Sequence, residues 1–169
     1  RRVFSMHDRE SIYLIPEEMR RDGLDREILS VLDLHDRVDM GQEDRERERW
    51  TSFVAGLTTE PQHEIRLALT GKYTDLGDAY ASIDKTIEHC AANLNTRIRV
   101  ERFDTTDLTE QRIAEELANV DAVIVPGGFG ARGVDGKLAV VKHCRTTGLP
   151  YLGICLGFQV AVIEFARNV

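Results

Sequence analysis

The apolar residues of this chain change texture near residue 60. Before it they are irregular and set among charges; from residue 64 onward they alternate between strand-like runs and helical stripes. In the first region PEEMRRDG (16–23) predicts a short helix, with proline in its first turn and glycine just past its end. DREILSVLDL (25–34) predicts a second helix, with Ile28, Leu29 and Leu32 on one side. EDRERERW (43–50) mixes both charge signs and reads as the solvated face of a helix, with Trp50 and Phe53 packing behind it. GLTTEPQ (56–62) interrupts any period and predicts a linker.

The second region is more regular. IRLALTGKY (65–73) predicts a strand ending at a glycine, and Ile83, Ile87, Cys90 and Leu94 follow at helical spacing. TRIRVERFD (96–104) alternates as a strand does. Ile113, Leu117 and Val120 mark a helix face, preceded by threonines suited to capping it. DAVIVPGG (121–128) is an apolar strand running into glycines, LAVVKHC (138–144) a helix, and LPYLGI (149–154) a buried strand. GFQVAVIEFARNV (157–169) is a helix that is apolar nearly all round.

Strands alternating with helices at these intervals predict an α/β fold. Its core is a flavodoxin-like or Rossmann-like parallel sheet with helices on both faces. The ligand site of such a sheet lies outside the carboxyl ends of its strands. Four strands are visible where five or more are usual, and the chain stops inside an apolar helix at Val169. A fragment with an incomplete sheet is therefore expected.

Composition narrows the function classes. Hydrophobic residues make up 42% and charged residues 30%, which suits a globular domain rather than a disordered one. The net charge is -7 with scattered basic residues, which argues against a nucleic-acid partner. No apolar run approaches the ~20 residues of a membrane span, and RRVFSMHDRESIY lacks the apolar core of a signal peptide. Cys90, Cys144 and Cys155 are odd in number and widely spaced, neither a disulfide framework nor a metal-binding pair. A reduced, cytoplasmic protein is expected.

PYLGICLGFQV (150–160) carries the first candidate chemistry. Cys155 stands at a strand-to-helix junction with Gly153 two before it and Gly157 two after. That is the G-x-nucleophile-x-G spacing of the strained elbow in hydrolases. A tight turn aims the side chain off the carboxyl edge of the sheet, and the glycines let strand and helix approach. A helix starting at the nucleophile presents its free N–H groups and dipole to developing negative charge. The same spacing also suits a buried cysteine beside two packing glycines. PGGFG (126–130), at the end of the preceding strand, adds a second strand end whose backbone N–H groups can face an oxyanion.

GFGARG (128–133) has the form of the dinucleotide fingerprint but follows the third strand rather than the first. No acid stands about 20 residues further on, where that fingerprint places one. A cysteine nucleophile also needs a base. The histidines are His7, His35, His63, His89 and His143; none follows Cys155, and none forms a legible pair with it.

The residues now in hand resemble a family. PGGFGARGVDGK and LPYLGICLGFQVAVIEFARNV look like the glutamine-hydrolysing, class I glutamine amidotransferase domain of the CTP synthases, and GKYTDLGDAYASIDKTIEHC (71–90) is similar to its opening. SMHDRESIYLIPEEMRRDGLD (5–25) resembles the last part of the family's synthase (amidoligase) domain. The resemblance implies a synthase remnant over 1–55, a linker over 56–63 and a truncated amidotransferase domain over 64–169. Cys155 would be the nucleophile that forms a glutamyl thioester. Gly128, Leu156, Gly157, Phe158 and Gln159 would bind glutamine. Gly127, Gly128, Phe129 and the N–H of Leu156 would form the oxyanion hole and pocket wall. His7, Asp8 and Arg9 match a stretch that contacts ATP, and no metal ligand is implied within this chain.

For the parent protein the resemblance implies synthesis of CTP from UTP, ATP and glutamine-derived ammonia. GTP is the implied activator, Mg2+ rides on the nucleotides, and the assembly is a homotetramer. The family's catalytic histidine and glutamate, its phosphate-binding loop and its UTP site have no match here, so this chain alone is expected to be inactive. The alternatives are another class I amidotransferase, a different cysteine hydrolase on a similar sheet, and a non-catalytic flavodoxin-like module with Cys155 buried.

Overall fold

A computed structural model describes residues 3–72, 78–106, 108–128 and 130–169. It divides into two compact units, Arg1–Thr59 and Glu60–Val169.

The first unit is helical. Ser11 caps a short 3-10 turn over Ile12–Leu14, which leads into α1 (Ile15–Arg21), with Pro16 in its first turn. Gly23, at φ +81, separates α1 from α2 (Leu24–Leu32). The side chain of Asp39 accepts from the Gln42 N–H and starts α3 (Met40–Thr58). Tyr13 is the buried hydrophobic residue of this unit. It lies 5.3 Å edge-on from Phe53 and 5.9 Å from Trp50, whose indole N–H donates to the Tyr13 carbonyl at 3.1 Å. The two aromatics do pack behind the charged face of α3. The apolar side of α2 fares differently: Leu29 is half-buried, but Ile28 and Leu32 are exposed together with Val31. Residues 56–58 belong to α3 and His63 opens the first strand, so the non-repetitive connection is 59–62 rather than 56–63.

The second unit is the expected α/β sheet. Its elements are β1 (His63–Gly71), α4 (Ala81–Leu94), β2 (Thr96–Asp104), α5 (Glu110–Glu116), β3 (Ala122–Val125), α6 (Val134–Thr147), β4 (Tyr151–Gly153) and α7 (Leu156–Asn168). The strands are parallel in the order β2-β1-β3-β4. β1 pairs with β2 from His63↔Thr96 to Gly71↔Asp104, and β3 with β4 from Val123↔Tyr151 to Val125↔Gly153.

The chain moves one way from β1 to β2 and the other way from β2 through β3 to β4. Right-handed crossovers then place helices on opposite faces. On one face Leu67, Leu69 and Ile124 pack with Tyr80 and with Ile87 of α4. On the other, Ala68, Val123 and Val125 pack with Ile113, Leu117, Val120, Val140 and Cys144 from α5, the turn after it, and α6. The order reverses between β1 and β3, where sheets of this kind open a ligand crevice at the carboxyl edge.

Two expectations need correction. On α4 the inward line is Ile83, Ile87 and Ala91, spaced by four, with Ile87 buried and the other two half-buried; Cys90 and Leu94 fall to its side and are exposed. β4 is not a fully buried strand. It is an edge of the described sheet, and Leu152 is 55% exposed on the uncovered side. α7 buries Val160 and Glu164 while exposing Phe158, Val162, Ile163 and Phe165.

Candidate active site

Three elements converge at the carboxyl edge of β3 and β4. The Ile154 N–H donates to the Val125 carbonyl at 2.9 Å, which extends the β3–β4 pairing to the last residue before Cys155. The backbone then turns sharply: Cys155 has φ 53 and ψ -112, and α7 begins at the next residue. A non-glycine residue at such angles costs about 1–3 kcal/mol, and it persists only where its surroundings enforce it.

The two glycines are part of that enforcement. A Cβ on Gly153 would stand 2.6 Å from the Phe158 nitrogen and 2.7 Å from the Gly157 carbonyl carbon. A Cβ on Gly157 would stand 2.0 Å from the Val125 carbonyl oxygen. Strand, turn and helix thus approach to distances that exclude any side chain at either position. The Tyr151 hydroxyl donates to the Gly157 carbonyl at 2.7 Å and ties β4 to the first turn of α7.

The elbow leaves Cys155 exposed, so it is not the small buried hydrophobe that its spacing also allowed. Cys144 is the cysteine of that kind: it is buried in the core and burial pushes its thiol up to about 11. Cys90 is exposed on α4, without an elbow.

The turn after β3 lies against Cys155. A Cβ on Gly127 would be 3.2 Å from the Cys155 Cβ and 3.7 Å from its Sγ. Gly127, Gly128 and Cys155 therefore share one corner of the sheet edge. The residues that follow run along the start of α7: Leu156 half-buried, Gly157 buried, Phe158 and Gln159 exposed. The backbone N–H of Gly157 is turned back to the Ile154 carbonyl and that of Gln159 to the Cys155 carbonyl. Leu156, as the first helical residue, holds an N–H with no acceptor within its own helix. Phe129, expected as a pocket wall, lies outside the described residues.

The sequence reading missed two lysines at this edge. Lys137, in the first turn of α6, is 1% exposed, and its ammonium donates to the Pro126 carbonyl at 2.9 Å. Its nitrogen would be 3.8 Å from a Cβ on Gly128. Burial lowers its pKa, the Lys72 charge lowers it further, and Cys155 acts in the opposite sense. Lys72 follows β1 and is also buried, with its Cε 3.6 Å from the same Gly128 position. Periodicity held the signal for Lys137, which shares an i, i+3, i+4, i+7 stripe with Val140, Val141 and Cys144.

No histidine stands near Cys155 among the described residues of this unit. His63 opens β1 at the opposite, amino edge of the sheet. His89 lies on α4, and His143 lies in the last turns of α6, which leads back toward the amino edge. His7, Asp8 and Arg9 belong to the first unit and are exposed, with Arg9 paired to Glu18 at 2.5 Å. No group of three or more metal-ligating side chains occurs among the described residues. Among the described residues no helix is long and apolar enough to cross a membrane.

The chain is similar to known proteins. A CTP synthase from Nostoc punctiforme is 39% identical over 167 residues, which are 99% of this chain and 29% of that protein. The solved glutaminase domain of Trypanosoma brucei CTPS, with bound acivicin, matches at 42% identity with a TM-score of 0.59. The match covers 62% of this chain and 41% of that one. The chain therefore spans less than half the length of either relative. The family described as "Glutamine amidotransferase class-I" matches residues 75–169, the region that holds the PGG turn, the elbow and Lys137. The chain belongs to the class I glutamine amidotransferase family.

Proposed function

We propose that Cys155 hydrolyses glutamine as the nucleophile of a CTP synthase. The observation that carries this reading is the strained Cys155 held exposed at the sheet edge, with Gly127 in contact with it. Its Sγ attacks the side-chain amide carbon of glutamine. The developing oxyanion is met by backbone N–H groups of the 126–128 turn and of Leu156. The C–N bond breaks, ammonia leaves with the proton delivered to it, and a glutamyl thioester remains. Water then attacks the thioester, releasing glutamate and restoring the thiol. Gly153 and Gly157 give the turn its shape, Gln159 offers a side-chain amide to the substrate, and Phe158 borders the pocket.

The 39% identity across both units supports the wider reading. The first unit is the end of a synthase domain, and the ammonia aminates UTP to CTP at the cost of ATP. His7, Asp8 and Arg9 contact that ATP, Mg2+ accompanies the nucleotides, and GTP activates glutamine hydrolysis. The parent is a cytoplasmic homotetramer. Among the described residues no histidine is placed beside Cys155, and the 169 residues alone are expected not to turn over glutamine.

The test uses the full-length protein. It should form CTP from UTP and ATP with glutamine as nitrogen donor, and Cys155→Ser should abolish release of glutamate. Full glutamate release by Cys155→Ser would refute the nucleophile. Glutamate release at a rate near that of the full-length protein by the 169-residue chain would refute the missing base. Glutaminase activity without CTP formation would instead identify another class I amidotransferase.

A further inference from the structure

We infer that Lys137 is a positioning residue for the oxyanion-facing turn 126–128. Its ammonium holds the Pro126 carbonyl, and with it the peptide plane that fixes where Gly127 meets Cys155.

A fully buried lysine is expensive, because it loses hydration that one hydrogen bond does not replace. Lys137 is 1% exposed, and its ammonium donates to a neutral acceptor, the Pro126 carbonyl. A core position on the stripe shared with Val140, Val141 and Cys144 would be more stable with an apolar side chain. Among the described residues its hydrogen bond goes to the backbone of a turn made of Pro126, Gly127 and Gly128. Two consecutive glycines have the widest backbone freedom of any pair, so such a turn needs an external clamp to keep its N–H groups aimed. α6 supplies the clamp because Gly136, just before Lys137, packs against the Thr105 carbonyl, where a Cβ would stand 2.0 Å from the oxygen. That contact anchors the first turn of α6 to the end of β2. The lysine then reaches across to β3. Burial and the neighbouring Lys72 both oppose its charge, so the cation is kept at a cost to the fold.

A residue kept against stability separates function from folding. The inference rests on the glutaminase reading, and the wild-type arm tests that reading by itself. In the full-length protein, Lys137→Met keeps an unbranched side chain one atom shorter and removes the donor and the charge. We expect the kcat for glutamate release to fall at least fivefold with KM within twofold of wild type, the pattern for an interaction made in the transition state. The melting temperature should be equal or higher. Lys137→Gln, which keeps a shorter N–H donor, carries the test by the same criteria if the methionine variant does not accumulate folded. Unchanged kcat would overturn the inference. So would a lowered melting temperature with parallel loss of kcat, or failure of both variants to fold, since Lys137 would then be a structural residue. Absence of glutamate release by the wild-type protein would overturn the glutaminase reading itself.

Discussion

Gly157 of α7 lies directly against the carbonyl of Val125, the last residue of β3. A Cβ there would sit 2.0 Å from that oxygen, far inside contact distance, and 3.3 Å from the Val125 Cβ. The neighbouring atoms are backbone rather than a flexible side-chain tip, so the clash cannot be relieved by a rotamer change. Gly157→Ala must push α7 off the sheet or break the turn. We expect a loss of about 3 kcal/mol or more, at the upper end of overpacking costs, with loss of glutamate release. Urea unfolding of the purified chain checks the first outcome. A variant within ~0.5 kcal/mol of wild type would mean that the elbow is looser than described.

Cys155 itself stores strain. Its φ of 53 with ψ -112 suits glycine better than any residue with a Cβ. Cys155→Gly should remove the thiol and relieve part of the strain. Glutamate release should vanish while the melting temperature rises by about 2–4 °C, the response of a chain of this size to ~1 kcal/mol. Cys155→Ala keeps the Cβ and should lose activity without that rise. Equal melting temperatures for the two variants would remove the strain argument.

Much of this arrangement was legible because two periods rarely mislead over long runs. β2 has the predicted bounds, 96–104, and the βαβ rhythm implied the parallel sheet. The G-x-C-x-G spacing implied both the elbow and its close approaches, since no other residue type tolerates them. What stayed hidden depends on neighbours rather than on local pattern. Cys90 and Leu94 fit a helical stripe, yet the sheet meets α4 along the line through Ala91. LPYLGI has the composition of a buried strand, but burial depends on what flanks β4, and one side of Leu152 is open. Lys137 was overlooked because charge suggests surface; its helical phase with Val140 and Cys144 is the stronger cue.

Arg145 and Glu164 join α6 to α7 beside the core. The guanidinium Nε donates to Oε2 and Nη2 to Oε1, both at 2.8 Å, and the Asn168 amide adds a third bond to Oε1 at 3.1 Å. Hydrogen bonding to Arg145 lowers the Glu164 pKa, and burial opposes this. A carboxyl whose folded pKa lies below its unfolded value stabilises the fold above the unfolded value, about 4.3. That stabilisation is lost as pH falls through the folded value. Glu164→Gln should therefore melt below wild type at neutral pH, and the gap should close as pH drops below about 4. Melting curves between pH 3 and 7 read this directly. A gap that is constant across the range would show that the carboxylate charge contributes nothing.

The three cysteines give the sharpest chemical test of the site. A glutamine-shaped chloroketone places its electrophilic carbon where the substrate amide would sit. In the full-length protein it should label Cys155, spare the buried Cys144, and react with the exposed Cys90 no faster than a free thiol does. Iodoacetamide, which has no glutamine shape, should reach Cys90 as well. Free glutamine should slow labelling at Cys155 alone, because only that residue shares the substrate's place. Peptide mapping after partial labelling reads the three rates. Equal rates at Cys90 and Cys155 with the chloroketone, or no protection by glutamine, would remove Cys155 from the glutamine site and leave the elbow without its substrate.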